Sequence, residues 1–281
     1  MKYDASKSIS QIKKDFFKSI DAISQFIIED LLLWVIDKNK TFLITNPDYV
    51  LTDKQYQDFI DGIQKLKNKI PLAYITGKQA FWGREFLVNC HTLIPRPDSE
   101  CMIDAVLDFV NKNSVTAPKI LDLGTGSGCL AITLAKELPN SQVVAVDFSL
   151  DALELANKNA KNLSADNCVF IHSDWFDKIS DLFDIIISNP PYIAPNDKHL
   201  DDLVAEPITA LVAKNDGLAD IYHIIKHAKN YLHNQGILLI EHGFNQTKQV
   251  QDIFCQFEFG DIDTIKDYGG NDRITKGIYY E

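Results

Sequence analysis

Apolar residues at Ile9, Ile12, Phe16, Phe17 and Ile20 recur at three- and four-residue intervals, and the Ile23–Ile36 stretch continues in the same way. That period predicts amphipathic helices over the opening of the chain. A third helix is expected from Thr52, where Thr52-Asp53-Lys54-Gln55 has capping-box form, and it should end before Pro71. From Lys78 the period shortens. Aromatic and branched residues flank a glycine in Gln79-Ala80-Phe81-Trp82-Gly83-Arg84-Glu85-Phe86-Leu87-Val88, the pattern of a β-hairpin joining two domains. Ile94-Pro95-Arg96-Pro97 then stiffens the chain, and Asp98 or Ser99 is placed to cap a helix reaching about Asn113. After Pro118, strands near 119–123, 142–147, 168–172, 183–188 and 236–241 alternate with helical stretches. These strands are short apolar runs without alternation, as expected of strands covered on both faces. Segments near 259–265 and 273–280 supply two terminal strands, with room for one to run antiparallel. The fold class is therefore α/β: a doubly wound, mostly parallel seven-stranded sheet with a small N-terminal helical domain.

A chain of 281 residues accommodates one large and one small domain. The expected division is a helical bundle at 1–70, a linker with the hairpin at 71–97, and the α/β domain at 98–281. Hydrophobic content of 46% and charged content of 24% are ordinary for a globular protein. The longest apolar run, Phe26 to Ile36, is interrupted by Glu29 and Asp30 and falls well short of the ~18 residues that span a bilayer. The N-terminus lacks a signal-peptide core and carries Asp4 and Asp15 with no Arg, so a cytoplasmic protein is expected. Five cysteines with no C-x-x-C pair argue for reduced thiols and no metal site.

Charge changes the picture more. The net charge is −11, yet residues 1–70 hold eleven lysines against ten acidic residues, so the remainder sums to −12. No basic stripe of the kind that binds duplex nucleic acid is visible, and an acidic catalytic region better suits a basic protein partner.

Two motifs carry the chemistry. Lys119-Ile120-Leu121-Asp122-Leu123 opens into Gly124-Thr125-Gly126-Ser127-Gly128, a loop whose backbone can approach a ligand closely at a helix N-terminus. Its G-x-G-x-G spacing departs from the dinucleotide fingerprint G-x-G-x-x-G, since Cys129 stands before any further glycine. With Asp122 ahead of it, this is the form of S-adenosylmethionine-binding sheets. Asp147, at the end of the second strand and 19 residues beyond Gly128, can accept the ribose hydroxyls of an adenosyl group. Asp174 and Trp175 follow the third strand, where they can meet the edge and face of an adenine.

The second motif is Asn189-Pro190-Pro191-Tyr192, after the apolar strand Phe183–Ser188. Two prolines remove two backbone donors, so the corner presents mainly acceptors. The Asn189 side-chain oxygen and the Pro190 carbonyl can accept both hydrogens of an NH₂ group and aim its nitrogen at a donor methyl. The same oxygens stabilise the charge that grows on that nitrogen, and Tyr192 walls the flat group. In the common strand order, strands one and four meet at the switch point, so corner and glycine loop should face each other. His223 and His227, four apart with Ile-Ile-Lys between them, lack a third ligand and read as structural. Glu241-His242-Gly243 closes the fifth strand on the cleft side and ranks below the corner as a catalytic element.

With these residues in place, the chain resembles the release-factor glutamine methyltransferases, the PrmC/HemK family of class I S-adenosylmethionine enzymes. Members methylate the side-chain amide nitrogen of the glutamine in the Gly-Gly-Gln motif of peptide-chain release factors. The resemblance covers about residues 71–281. It rests on Pro71–Gly77, Phe81-Trp82-Gly83-Arg84-Glu85-Phe86, Ile94–Pro97 with Glu100, and Ser173–Phe176. It continues through Asn189–Tyr192, Glu206-Pro207 with Ala210-Leu211, Asp216-Gly217-Leu218, Glu241–Gly243 and Gly270-Asn271-Asp272-Arg273. It implies that Gly124–Gly128, Asp147 and Trp175 bind the donor, which leaves as S-adenosylhomocysteine. It implies that Asn189 touches donor and substrate, that Asn189–Tyr192 hold the glutamine amide, and that Phe81, Trp82 and Arg96 shape the substrate side. It also implies a monomer. Asp98-Ser99 replaces the family's Glu-Thr, and Val212-Ala213-Lys214 stands where a glycine-containing turn is common, which leaves the 212–217 loop open. The rival readings are a ribosomal-protein glutamine or a nucleic-acid exocyclic amine as acceptor, an NAD-dependent oxidoreductase, and a non-catalytic donor-binding protein. The acidic balance, the glycine spacing and the intact corner argue against the last three in turn.

Overall fold

The computed structural model describes residues 7–19 and 23–281, so Ile20, the last apolar position of the first predicted helix, lies outside the described residues. The chain forms two compact units, 1–77 and 78–281.

The first unit is helical. It comprises α1 (Ile9–Ser19), α2 (Gln25–Ile36), α3 (Lys40–Thr45), α4 (Asp53–Lys67) and α5 (Leu72–Thr76). The capping box at α4 is present: the Gln55 amide donates to Thr52 Oγ1 at 3.2 Å and the Thr52 amide to Gln55 Oε1 at 3.0 Å. Short α3 escapes a periodicity reading; its signal is Asn39, whose Oδ1 caps the Phe42 amide at 3.0 Å. Ile9, Ile12, Ile28, Leu31, Leu32, Phe59 and Ile63 form the core of this unit.

The second unit opens with an antiparallel hairpin of β1 (Lys78–Phe81) and β2 (Arg84–Leu87). Trp82 and Gly83 turn it with φ of 49° and 68°, as a two-residue hairpin turn requires. Then follow α6 (Glu100–Lys112), β3 (Lys119–Leu123), α7 (Cys129–Glu137), β4 (Gln142–Asp147), α8 (Leu150–Leu163), β5 (Cys168–His172) and β6 (Phe183–Ser188). The chain finishes with α9 (Ala219–Ala228), β7 (Leu232–Glu241), α10 (Thr247–Gln256), β8 (Gly260–Lys266) and β9 (Asp272–Ile278). The sheet order is β5-β4-β3-β6-β7-β9-β8, with β9 antiparallel to both neighbours.

Alternate residues of each strand serve opposite layers. Ile120, Val143, Ala145, Ile185 and Ile187 face α6, α7 and α8, while Leu121, Leu123, Val146, Ile186 and Leu238 face α9 and α10. Each fully buried Val, Leu or Ile side chain here contributes roughly 1.5–3 kcal/mol relative to exposure. The chain leaves β3 toward β4 and β5, then returns to β6 on the other side. The loops after β3 and β6 therefore diverge above a shared gap, and both motifs sit there. Strand β7 starts at Leu232, ahead of its apolar run, because Leu232 pairs with Phe183 before an irregularity in the ladder. No helix among the described residues is long and apolar enough to cross a membrane.

Candidate active site

Above the β3–β6 gap lies a cavity of about 270 Å³, and a smaller one of about 70 Å³ adjoins it. Gly124, Thr125, Gly126, Ser127, Asp147, Asp174, Trp175, Asn189 and Pro191 all line the larger one. Leu93, Arg96, Asn189 and Ala210 line both, and Tyr192 lines the smaller.

The glycine loop turns through φ of 76°, 56° and 81° at Gly124, Gly126 and Gly128. At Gly128 the left-handed φ suits glycine, and a Cβ would also stand 3.2 Å from the Ala156 Cβ, so a side chain here would crowd the start of α7 against α8. The loop amides are largely used internally. Gly124 and Thr125 donate to the Val146 carbonyl at 2.9 Å, Gly128 to the Thr125 carbonyl at 2.9 Å, and Gly126 to Asp147 Oδ2 at 2.8 Å. The loop thus offers close backbone approach and leaves ligand recognition to side chains around it.

Asp147 is held at the cavity wall by two backbone donors. Its Oδ1 accepts the Ser149 amide at 2.8 Å and its Oδ2 the Gly126 amide, leaving each oxygen a further lone pair toward the cavity. Burial raises its pKa, and those backbone donors oppose the shift. Beneath the loop, Asp122 is fully buried and accepts from Thr125 Oγ1 at 2.7 Å. Burial first, and then the charge of Asp147, push it up to about 7. The Trp175 indole lies against Gly124, 3.5 Å from where a Cβ would stand, and also packs on the apolar layer under the sheet.

At the corner, Asn189 Nδ2 donates to Ser99 Oγ at 3.2 Å. That bond occupies the amide nitrogen and leaves the Asn189 oxygen as the free acceptor. Pro190 is buried between its neighbours and lines neither cavity. Ser99, read from the sequence as a helix cap, makes no cap bond. Its φ/ψ of −72°/−12° is helical, whereas a cap residue needs extended geometry. Arg96 is ion-paired to Glu206, whose Oε2 also accepts the Ile94 amide at 3.0 Å.

Two expectations require correction. Phe81 is 1% exposed and packs edge-to-face on Phe86 in the core, so it cannot reach a substrate. Trp82 lines neither cavity; its Nε1 donates to Glu137 at 3.2 Å and its amide to Glu100 at 2.6 Å. Their side chains hold the hairpin to α6 and α7 rather than facing the cleft.

The comparisons with known proteins agree with this geometry. The PrmC N-terminal domain family matches residues 14–77, and a methyltransferase domain family matches residues 115–274. The release factor glutamine methyltransferase of Aliivibrio fischeri is 43% identical over 88% of this chain and 87% of its own length. That of Escherichia coli is 41% identical over 90% of this chain and 91% of its own. The chain belongs to the release factor glutamine methyltransferase family. For the fold alone, a crystal structure of a methyltransferase from Pyrococcus furiosus superposes with a TM-score of 0.53 at 14% identity, covering 82% of this chain and all (100%) of that one.

In this member of the release factor glutamine methyltransferases, several site residues carry no motif signal. Phe148, 73% exposed, lines the larger cavity next to Asp147. An exposed aromatic directly after a strand-end carboxylate was its sequence clue. Asp220, in the first turn of α9, joins Asp174 at the same cavity, and burial raises its pKa. Gln246 staples the corner: its Nε2 donates to the Tyr192 carbonyl at 3.0 Å and to the Asp216 carbonyl at 3.1 Å.

The 212–217 loop is held against the corner as well. The Ile193 amide donates to the Leu211 carbonyl at 2.9 Å and the Ala213 amide to the Ile193 carbonyl at 3.0 Å. At Gly217 φ is +85°, and a Cβ would stand 2.0 Å from the Tyr192 carbonyl oxygen. Gly217→Ala is expected to destabilise the protein by about 2–4 kcal/mol, the sum of left-handed strain and a backbone clash. The thermal midpoint should drop by at least about 5 °C. An unchanged midpoint would show that the loop can leave the corner freely.

Proposed function

We propose that this protein transfers a methyl group from S-adenosylmethionine to the side-chain amide nitrogen of the glutamine in the Gly-Gly-Gln motif of peptide-chain release factors. The observation that carries the reading is Asn189, placed where the two cavities meet with its nitrogen occupied and its oxygen free. Among the side chains shared by both cavities, it alone offers an uncharged acceptor for an NH₂ group. Membership of the family supports the same acceptor.

The larger cavity fits the methyl donor. Its lining combines carboxylates of Asp147, Asp174 and Asp220 with the apolar faces of Leu130, Val146, Phe148 and Trp175, while its arginine, Arg96, is neutralised by Glu206. That balance suits a cationic ligand with a flat heterocycle. When bound, S-adenosylmethionine supplies an electrophilic methyl on a sulfonium and leaves as the neutral thioether.

The chain's residues do the rest. Asn189 Oδ1 takes one amide hydrogen of the glutamine, and the backbone of the corner that follows it takes the other. The nitrogen is thereby oriented, its growing positive charge meets fixed oxygens that need no reorganisation, and one of its two protons is released to solvent once the methyl has moved. Tyr192, in the smaller cavity, flanks the acceptor and excludes water. Asp147 holds the ribose diol, and Trp175 and Phe148 enclose the adenine.

The same reading makes a protein, rather than a nucleic acid, the acceptor, given the net −12 beyond residue 70. It assigns residues 1–70 to recognition of the release factor, 71–97 to the connection, and 98–281 to catalysis, in a monomer acting in the cytoplasm. Removing the compact unit 1–77 should raise KM for the factor at least about tenfold, as loss of an interface hot spot does. An unchanged KM would end the recognition role.

The decisive test is intact mass and peptide mapping of a purified release factor incubated with this protein and S-adenosylmethionine. One added methyl on the Gly-Gly-Gln glutamine, absent with Asn189→Ala, is the expected result. An unmodified factor despite donor binding would overturn the assignment and redirect the search to ribosomal proteins and nucleic-acid amines.

A further inference from the structure

Glu241 ends β7 one residue past the Ser188–Ile240 pairing, so it stands directly behind the Asn189–Tyr192 corner. It lines neither cavity and is 1% exposed. A buried carboxylate this close to a reaction centre, yet out of reach of its ligands, needs a physical account.

Its partners supply one. The Tyr192 hydroxyl donates to Glu241 Oε1 at 3.4 Å. Ser99 Oγ accepts the Asn189 amide nitrogen at 3.2 Å, and Ser99 lies near enough to Glu241 to oppose the rise of its pKa. Both ends of the corner, the Asn189 amide and the Tyr192 hydroxyl, therefore converge on one acidic side chain. Oε2 is buried without a hydrogen-bond partner, so it is the acceptor still open to a neighbouring hydroxyl such as that of Ser99.

We propose that Glu241 is a positioning residue for methyl transfer, which acts through Ser99 and Tyr192 to hold the Asn189 amide with its oxygen toward the acceptor nitrogen. The inference rests on the function proposed above.

The logic is a proton inventory. A serine hydroxyl has one hydrogen to give. While Glu241 is a carboxylate it accepts only, so Ser99 donates to it and meets Asn189 through a lone pair. Only the NH₂ end of Asn189 satisfies that lone pair. If Glu241 carries a proton, it can donate to Ser99, whose hydrogen is then released toward Asn189. The amide can now turn its oxygen to Ser99 and withdraw the acceptor from the cleft.

Burial pushes Glu241 up to about 7, opposed by Ser99, Arg273 and Tyr192 and reinforced by Asp98. The charged or titratable groups that face it are Asp98 before α6, Cys101 on α6, Cys129 on α7, Tyr192 at the corner and Arg273 on β9. Burial raises Cys101, Cys129 and Tyr192 far enough that they stay neutral near pH 7. Activity should thus be lost as pH falls through about 7, because the carboxylate is the working form.

Glu241→Gln keeps the shape but places a fixed NH₂ donor behind the corner. With release factor as substrate, kcat should fall roughly 10- to 100-fold, the scale of a small misplacement in a reacting pair. The dissociation constant for S-adenosylmethionine should hold, and the acidic limb of the pH profile should vanish. Ser99→Ala should have a similar effect, and the double variant no greater one. Independently of turnover, the side-chain amide resonances of Asn189, assigned by their loss in Asn189→Ala, should shift with pH in the wild type and stay fixed in Glu241→Gln.

Normal kcat in Glu241→Gln, or a reduced kcat with the wild-type pH midpoint and effects additive with Ser99→Ala, would overturn the positioning role. Either result would leave the wild-type methylation of the factor intact. A wild-type protein that binds donor but never methylates the factor would take the proposed function down, and this inference with it.

Discussion

Asn189→Ala is expected to lower kcat for release-factor methylation roughly 10²–10³-fold, the cost of deleting one preorganised group aimed at developing charge. The thermal midpoint and the dissociation constant for S-adenosylmethionine should change little. Asn189 is half-buried and makes a single side-chain bond, to Ser99, so its loss leaves no large void. The remaining oxygens of the corner are backbone carbonyls and the Tyr192 hydroxyl, which is turned to Glu241, and they cannot replace the acceptor at the tip of Asn189. Asn189→Asp sharpens the test. It restores an oxygen, yet puts a second acceptor where Ser99 receives the amide nitrogen, so Ser99 would have to turn its hydroxyl away from Glu241. Aspartate should recover part of the rate at most. Single-turnover methylation followed by peptide mapping measures both variants; a full rate in Asn189→Ala would remove the corner from the chemistry.

What the sequence disclosed, and what it withheld, follows from how far each feature depends on neighbours in the chain. Strands β3, β4 and β6 were legible because burial on both faces demands a largely apolar run, which Ile185–Ile187 supplies without a break and Ile120–Leu123 with only the buried Asp122 inside it. The start of β7 was not, since His233-Asn234-Gln235 are polar residues drawn into the strand by the ladder. The glycine loop and Asn189–Tyr192 were legible because tight turns and proline corners are local. Glu241 reveals its purpose only when β7 is laid beside β6, bringing residues 99, 189 and 241 together. Phe81 shows the opposite failure. A motif near a hairpin turn suggested a surface aromatic, but alternation along β1 turns it inward, where Phe86 and the α6 layer claim it. The loop at 212–217 kept its shape without the expected early glycine: Asn215 and Asp216 take φ of 54° and 55°, and only Gly217 must be glycine. Asparagine and aspartate tolerate that conformation better than other side chains.

Asp147→Ala is expected to act on the other half of the reaction. Two charge-assisted hydrogen bonds to a ribose diol are worth about 1.5–3 kcal/mol each, so the dissociation constant for S-adenosylmethionine should rise at least roughly 10²-fold. Part of the loss is indirect. The same carboxylate holds the Gly126 and Ser149 amides at 2.8 Å, and without it the loop loses the anchor that sets its approach to the ligand. Asp147→Asn separates the two contributions. Its amide has one oxygen for two backbone donors, so one of those bonds must break while a polar group remains for the diol. Asparagine should therefore weaken binding by less than alanine, and by more than an exposed contact would. Burial raises the Asp147 pKa, so donor affinity in the wild type should decline as pH falls toward the acid range, and that decline should be absent from Asp147→Asn. Titration calorimetry with S-adenosylmethionine reads all three proteins, and an unchanged dissociation constant in Asp147→Ala would refute the ribose assignment. Set beside Asn189→Ala, the pair forms a crossed test. One variant should bind the donor and fail to transfer, and the other should recover much of its rate when donor is supplied in excess. A site in which loop and corner acted as a single structural unit would lose both properties in both variants.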